Sequence, residues 1–373
     1  MAVVGREALH HALATASRTG SKGRMNHGAF GNFELAIEDG RVIARGTSME
    51  ASIEFNQHAG TSGRIRAIIP RESLDVVRAF PNADITIDDE QAALALSAQR
   101  MKLRIPKNND MAMYPMMGHK ETIGRFTMAR DDFQAMAKAT SGFTDGAGGA
   151  NLALTGIVMS GDGFFAAADG RIMSIYKYDM PQEIGDVVLM PNHLTTVASL
   201  ARAESDDIEI DVANETVRFG TGNVFMVSRR VAVEKVLPVY QKVMAVNSDT
   251  MGCIVDTAEL QGALGRILPL MELFEAWIVF TRDELHIVST QSYGKSRIAI
   301  PCEWDGLEEL AIKANPAYLA KLADAVAADR TRLGVISATA PLTVTGVDND
   351  TWMGALALMR GQNMEIAEIL ADA

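Results

Sequence analysis

The chain of 373 residues carries a formal net charge of -12, is 48% hydrophobic and 22% charged, and has only two cysteines. That length exceeds one ordinary core and predicts two or three domains; Cys253 and Cys302 cannot build a disulfide framework and stand at no metal-ligand spacing, so both read as small core residues. The acidic balance excludes a surface uniformly coated to grip nucleic acid, while leaving room for a local basic face.

In chain order, the first element is an amphipathic helix from Arg6, with Leu9 and Leu13 on one face beside Ala12 and Ala16. Met1 to Arg6 lacks the basic-then-apolar order of a signal peptide, so a cytoplasmic location is expected. No apolar run approaches the ~20 residues that span a bilayer, and no membrane partner is expected. Phe33 to Ile43 reads as two strands about the polar turn Glu38-Asp39-Gly40. Pro70 is placed to start a second helix carrying Leu74 and Val77, because proline at the first helical position loses no hydrogen bond. Asp84-Ile85-Thr86-Ile87-Asp88 then alternates as a strand with one buried face.

The same order returns from Arg130, with Phe133, Met136 and Ala137 on a helix face. It continues through a hairpin from Leu152, a helix after Pro191 with Leu194 and Val197, and the strand Asp207-Ile208-Glu209-Ile210-Asp211. A third round runs from Asp256, with Leu260, Leu264 and Ile267, through Trp277 to Val288 about Arg282-Asp283-Glu284. Pro316 then opens a helix with Leu319 and Leu322, and Leu333-Gly334-Val335-Ile336 is the closing strand. Returns at roughly 120 to 130 residues, one domain length, mark an internal repeat. The expected fold class is α+β: three repeated domains over 1–119, 120–248 and 249–373, each of two helices packed on antiparallel sheets, jointed near Gly118 to Thr122 and Val246 to Met251.

Within the second repeat, Leu152 to Met180 has β-branched and aromatic residues on both sides of Gly161-Asp162-Gly163, the pattern of a hairpin. Its second strand breaks at Asp169-Gly170-Arg171 before Ile172-Met173-Ser174-Ile175-Tyr176 resumes it. The break is expected to leave backbone exposed beside an apolar surface, either as the wall of a peptide groove or as a bulge without a partner.

Catalytic patterns fail on spacing. Gly294-Lys295-Ser296 ends like a phosphate-binding loop, but Ser289 stands in the place of its first glycine within a strand pattern. Asp348-Asn349-Asp350 begins like a calcium loop, yet Met353 replaces the turn glycine and Met359 the closing glutamate. His10-His11 has no acidic or cysteine partner at ligand spacing, and no nucleophile-elbow serine is present. The chain is expected to be no enzyme and to need no metal or cofactor. The 21 methionines fit either an adaptable partner surface or flexible core filler.

Leu154-Thr155-Gly156 as a strand, Ala168-Asp169-Gly170-Arg171, Val227-Ser228-Arg229 and Leu237-Pro238-Val239-Tyr240-Gln241-Lys242-Val243 occur in the order and spacing of one family's middle-domain motifs. Asn315, Tyr318 and a closing strand Ala357-Leu358-Met359-Arg360 match its last domain. On these strings, taken jointly, the chain resembles the bacterial DNA polymerase III beta subunit, the sliding clamp, over nearly its whole length.

The resemblance implies a head-to-tail homodimeric ring of six domains, helices inside, through which double-stranded DNA passes without sequence readout. Closure of a ring also removes open sheet edges. It implies an interface in which Leu103 and Ile105 of one copy meet Leu268 and Leu270 of the next, with ordinary core positions the competing account of these residues. Lys22, Arg24, Arg78, Lys138, Arg202, Arg266 and Lys321 are the candidate DNA-facing cations, each weighed against an ordinary solvated charge. Pro191-Asn192-His193 stands where the family has proline and two basic residues, which implies a weaker grip on DNA.

The resemblance further implies a pocket for short hydrophobic motifs of the replicative polymerase and clamp loader. Its matching positions are Leu154, Gly170, Arg171, Met173, Pro238, Lys242, Val243, Phe274, Asn315, Tyr318, Leu342, Leu358 and Met359. Arg171 and Ile172 stand where the family has His and Arg, and Leu358 replaces its proline. The chain runs on past Arg360 to a tail whose Met364, Ile366, Ile369 and Leu370 could form an amphipathic helix; it either narrows the groove or frays. Two readings of other classes stand beside the clamp: a non-catalytic structural or assembly protein of repeated domains that does not encircle DNA, and a hydrolase whose site is assembled from residues distant in sequence.

Overall fold

The computed structural model describes residues 1–19, 28–108, 114–146, 152–201, 207–233, 240, 243, 250–292, 294–360 and 364–371. The first stretch of chain gives β1 (Ala2–Gly5), α1 (Arg6–Ala16), β2 (Asn32–Glu38), β3 (Arg41–Thr47), β4 (Ala51–His58), β5 (Ser62–Gly63), β6 (Ile65–Pro70), α2 (Ser73–Ala79), β7 (Asp84–Asp89), β8 (Ala93–Ala98) and β9 (Met101–Pro106). The second gives β10 (Thr122–Ala129), α3 (Arg130–Ser141), β11 (Ile157–Ser160), β12 (Phe164–Ala168), β13 (Ile172–Lys177), β14 (Asp186–Leu189), α4 (Pro191–Leu200), β15 (Asp207–Ala213), β16 (Thr216–Thr221) and β17 (Val224–Arg229). The third gives β18 (Met251–Asp256), α5 (Thr257–Ile267), β19 (Ala276–Phe280), β20 (Glu284–Gln291), β21 (Gly294–Pro301), β22 (Glu303–Trp304), β23 (Leu310–Ala314), α6 (Pro316–Ala323), β24 (Arg330–Val335), β25 (Leu342–Gly346), β26 (Asn349–Leu356) and α7 (Ile366–Leu370).

These elements gather into two compact units, Met1–Gln134 with Asn192–Arg230, and Ala135–Pro191 with Val231–Ala373. The first holds a five-stranded sheet, β5-β1-β7-β8-β9, and an eight-stranded sheet, β10-β15-β16-β17-β4-β3-β2-β6. The second holds a nine-stranded sheet, β14-β11-β12-β13-β26-β25-β24-β18-β22, and a four-stranded sheet, β21-β20-β19-β23. The long sheets match strand for strand apart from β22. In one, β4 pairs antiparallel with β17; in the other, β13 pairs antiparallel with β26. The second stretch of chain therefore supplies strands to both units. The α+β class and the thrice-repeated order of elements agree with the sequence.

Local chemistry explains the element ends. The β2–β3 hairpin turns at Asp39 and Gly40, both with positive φ (51° and 77°), the backbone that matches strand twist in a two-residue turn. Leu9, Ala12, Leu13 and Ala16 bury the stripe of α1, and Leu260, Leu264 and Ile267 that of α5. Asp256 Oδ1 caps α5 by accepting from Glu259 N–H at 2.9 Å. Pro191 and Pro316 open α4 and α6. Pro70 does not open α2: it ends β6, where Asn32 lies opposite it, and the helix begins only at Ser73.

Three further expectations are corrected. Leu152–Leu154 forms a 3-10 turn, so Leu154-Thr155-Gly156 is not a strand; β11 starts at Ile157. Asp169-Gly170-Arg171 does not interrupt one strand. Asp169 Oδ1 accepts from the N–H groups of Arg171 and Ile172 at 2.8 and 2.9 Å, Gly170 takes φ +89°, and the chain reverses so that β13 pairs with β12. With β26 on its other side, β13 leaves no open backbone. Ala357 to Arg360 lies beyond β26 rather than closing the sheet, held by Ala357 N–H on Arg171 C=O and Met359 N–H on Lys313 C=O, each at 2.8 Å.

The described part of the tail is packed rather than frayed. Ile369 is 1% exposed and packs with Val279, Val288, Trp277 and Ala311 on the four-stranded sheet. Lys295 Nζ donates to the carbonyls of Glu368 and Ala371 at the end of α7, where a cation suits the helix dipole. Ile369→Ala is expected to lower the unfolding free energy by about 2 kcal/mol, the low end for a buried isoleucine truncated to alanine, and so shift the urea midpoint downward. An unchanged midpoint would mean that the tail does not hold the sheet.

Candidate functional site

The described residues of the expected peptide pocket all lie in the second unit. The turn after β12 brings Gly170 beside Leu154: a Cβ built on Gly170 would lie 3.9 Å from Leu154 Cδ1, so φ rather than crowding reserves this place for glycine. Arg171 Nη1 donates to Tyr318 Oη at 3.3 Å, joining the turn to α6. Beneath them, Met173 and Val243 are buried with Val158, Phe164 and Tyr240, and Leu154 packs against this cluster. Burial pushes the Tyr240 hydroxyl up to about 12, so it is a neutral phenol at pH 7. Leu342 is fully buried opposite Leu356 and serves as underlying core rather than surface.

The other side is built from β23, α6 and the chain after β26. Asn315 Oδ1 accepts from Ala317 N–H at 2.9 Å, so its side chain caps α6. Lys313, whose carbonyl holds Met359, pairs through Nζ with Glu275 at 2.6 Å and so ties in the loop carrying Phe274. Phe274 is 50% exposed and its neighbour Leu273 66%, while Leu358, Met359 and Tyr318 are half-buried. Apolar side chains in partial reach of solvent, with a guanidinium and a phenol to orient a ligand, suit capture of a large side chain rather than bond making. Leu273, Lys313 and Glu275 escaped the sequence reading; adjacent Leu273 and Phe274 in a stretch without periodicity were the available signal. Pro238 and Lys242 lie outside the described residues.

Arg78, Lys138, Arg266 and Lys321 are exposed on α2, α3, α5 and α6. Lys321 Nζ sits 5.2 Å from the Phe143 ring centroid, a cation–π contact. Lys22, Arg24 and Arg202 lie outside the described residues. His193 is buried, with Nδ1 at 2.7 Å from Ser228 Oγ, so it offers no charge to solvent. Of the interface candidates, Leu103 is 37% exposed on β9, an edge strand, and Leu270 is 49% exposed; Leu268 is half-buried and Ile105 is core at 3%.

The rejected motifs have structural places. Lys295 binds the tail, Asp348 forms the β25–β26 turn, and His11 packs edge-on against Phe55 at 5.0 Å. Cys253 is buried, which raises its thiol pKa; Cys302 is only partly buried, with Sγ at 3.7 Å from Thr281 O. Among the described residues no group of three or more His, Cys, Asp or Glu could hold a metal ion, and no helix is long and apolar enough to cross a membrane.

No family model and no curated protein matches the sequence. Solved structures do match its fold. A sliding clamp (DNA polymerase III subunit beta) from Pseudomonas aeruginosa bound to griselimycin is 19% identical with a TM-score of 0.85, over 96% of this chain and 99% of that one. The corresponding clamp from Bartonella birtlesii, also bound to griselimycin, gives 18% and 0.84 over 97% and 100%. The DNA polymerase III beta subunit from Thermotoga maritima gives 18% and 0.82 over 97% and 100%. The chain has the fold of the bacterial beta sliding clamps.

Burial pushes the His193 imidazole down from 6.5 to about 4. A histidine held neutral in the folded state contributes stability that is complete above pH 6.5 and is lost as pH falls towards about 4, because the unfolded chain binds the proton first. Relative to His193→Gln, the protein should therefore lose about 3 kcal/mol across that window in urea titrations. Parallel pH profiles would show that His193 is not the buried titrating group.

Proposed function

We propose that this chain is a ring-forming, non-catalytic sliding clamp that encircles duplex DNA and tethers a replicative polymerase and its clamp loader. The observation that carries the reading is the fold match to beta clamps over 96% of the chain. Two copies, each of three domains over 1–119, 120–248 and 249–373, close head to tail. Leu103 on the edge strand β9 then meets Leu268 and Leu270 of the partner subunit, with Ile105 packing the sheet behind it. Such closure satisfies a strand edge that would otherwise invite aggregation. Arg78, Lys138, Arg266 and Lys321 line the hole and attract phosphates without reading bases. The protein works in the cytoplasm and needs no cofactor.

Linkage to DNA is topological in this reading, so its test is topological. Protein loaded on closed circular duplex should stay bound through high-salt gel filtration and be released when the circle is cut. Direct equilibrium binding should be weak, independent of sequence and steeply salt-dependent. Leu103→Asp should run as a monomer and lose retention, since an unpaired carboxylate at an apolar interface costs several kcal/mol. Tight binding to one sequence, or no retention on circles, would leave a structural protein of repeated domains as the better account.

Partner motifs of the Gln-x-x-Leu-Phe type are proposed to bind at Leu154, Arg171, Phe274, Tyr318, Leu358 and Met359. Gly170 shapes the wall, Met173 and Val243 form the floor over the core residue Leu342, and Asn315 caps α6. Affinity should be micromolar, about -8 kcal/mol. Met359→Glu should abolish it in calorimetry with the dimer intact; unchanged affinity would place the pocket elsewhere.

A further inference from the structure

The first unit repeats part of the hydrogen-bonded frame that carries the candidate peptide site in the second. Ser48-Met49-Glu50 joins β3 to β4 as Asp169-Gly170-Arg171 joins β12 to β13. Ser48 Oγ accepts from the N–H groups of Glu50 and Ala51 at 3.3 and 3.0 Å, the part played by Asp169 Oδ1 at 2.8 and 2.9 Å. Arg229 N–H donates to Glu50 C=O at 2.8 Å, as Ala357 N–H donates to Arg171 C=O at 2.8 Å. A 3-10 turn precedes each frame, Gly28–Gly31 before β2 and Leu152–Leu154 before β11, which puts Phe30 in the place of Leu154.

On this frame the first unit has a cavity of about 850 Å³. One wall is the chain from Pro115 to Glu121, fixed at several points. Tyr114 Oη donates to Asn32 C=O at 2.8 Å, and Met117 N–H to Ser52 Oγ at 2.9 Å. His119 Nδ1 lies 3.0 Å from Thr216 Oγ1, and its Nε2 lies 3.2 Å from Asp211 Oδ1 without the alignment of a hydrogen bond. Burial works against the Asp211 charge, yet its partners, Arg125 at 2.6 Å among them, hold its carboxyl below the usual range. Glu121 ends the wall at φ +57°, a backbone that a non-glycine residue keeps only where its surroundings fix it. The cavity is thus preformed.

Its lining points to a class of ligand. Phe30, Met49, Met116 and Met117 give apolar, adaptable surface, and the volume falls in the range of concave ligand pockets. Lys120 and Arg229 face Glu121 and Glu215 in number, so the rim has no net charge to repel a peptide. Arg229 occupies the position of Ala357 in the other unit, and its side chain is exposed, a guanidinium able to take a carboxylate in a forked pair. We propose that this cavity is a second peptide site, for a short extended segment with one large apolar side chain next to an Asp or Glu. It rests on the reading of the first site, because the shared frame is what makes a peptide the ligand.

The test titrates an acetylated hexapeptide with an Asp-Leu-Phe core into the full-length protein by calorimetry. Two peptides should bind per chain, and one per chain in Met49→Glu and in Met359→Glu. Arg229→Glu, or replacing the peptide's Asp by Asn, should weaken one of the two sites by about tenfold. Met49 is 61% exposed and Arg229 is exposed, so these variants should keep the fold. A single site lost in Met359→Glu and untouched by Met49→Glu overturns the second site and leaves the first. A single site lost in Met49→Glu and untouched by Met359→Glu supports the second and refutes the first. No binding at all overturns both.

Discussion

The pairing of β4 with β17, and of β13 with β26, is the constraint on which the rest of each unit depends. These two ladders join strands far apart in sequence, and through them half of one repeat and half of the next become a single sheet. They also set the register of everything nearby. On β13, Met173 and Ile175 face an apolar cluster with Met353 and Ala355. Ser174 turns the other way: its Oγ donates to Ala139 C=O at 2.6 Å and accepts from Trp352 Nε1 at 2.9 Å. A slip of one residue would bury the Ser174 hydroxyl among methyl groups and strand the indole N–H, so the register is strongly specified.

The first unit pins its register with charge as well. Glu34 lies opposite Arg45, and Arg45 opposite Glu54, across β2, β3 and β4. The Glu34 side chain is only 5% exposed, yet both its oxygens are engaged, with Arg45 and Arg66, each at 2.7 Å. A buried carboxylate is tolerable only when so paired. Its contribution lies in orientation more than in net stability, since each strand shift would separate ions already removed from water.

Helices and most strands were legible because apolar periodicity and capping residues are local: the stripe of α5, its Asp256 cap and the proline starts of α4 and α6 need no distant information. The turn at Asp169-Gly170 was also locally encoded. It is the Asp-Gly signal that ends other hairpins, but the apolar run on each side suggested one continuous strand. The tail shows a different limit. Ile366, Ile369 and Leu370 declare an apolar face, but nothing in their spacing names Val279, Val288 and Trp277 as what they cover. The candidate site divides the same way. Exposed Phe274 and the Asn315 cap follow from local sequence, whereas the Arg171–Tyr318 bond and the Lys313 carbonyl under Met359 exist only once β13, β23 and β26 are in place.

Neither unit is continuous in sequence, and this sets the order in which a nascent chain can complete itself. As the polypeptide leaves the ribosome, β4 must wait for β17, with the whole of Ala135–Pro191 emerging between them. During that interval it is an unpaired edge carrying Ile53 and Phe55, both destined for the core. Loop closure over such separations is slow, and open apolar edges are where chains associate wrongly. The repeats visible in the sequence are therefore not units of synthesis: a gene fragment ending at a repeat boundary would encode one bare edge of a sheet, while one ending after Arg230 would include every strand of the first unit.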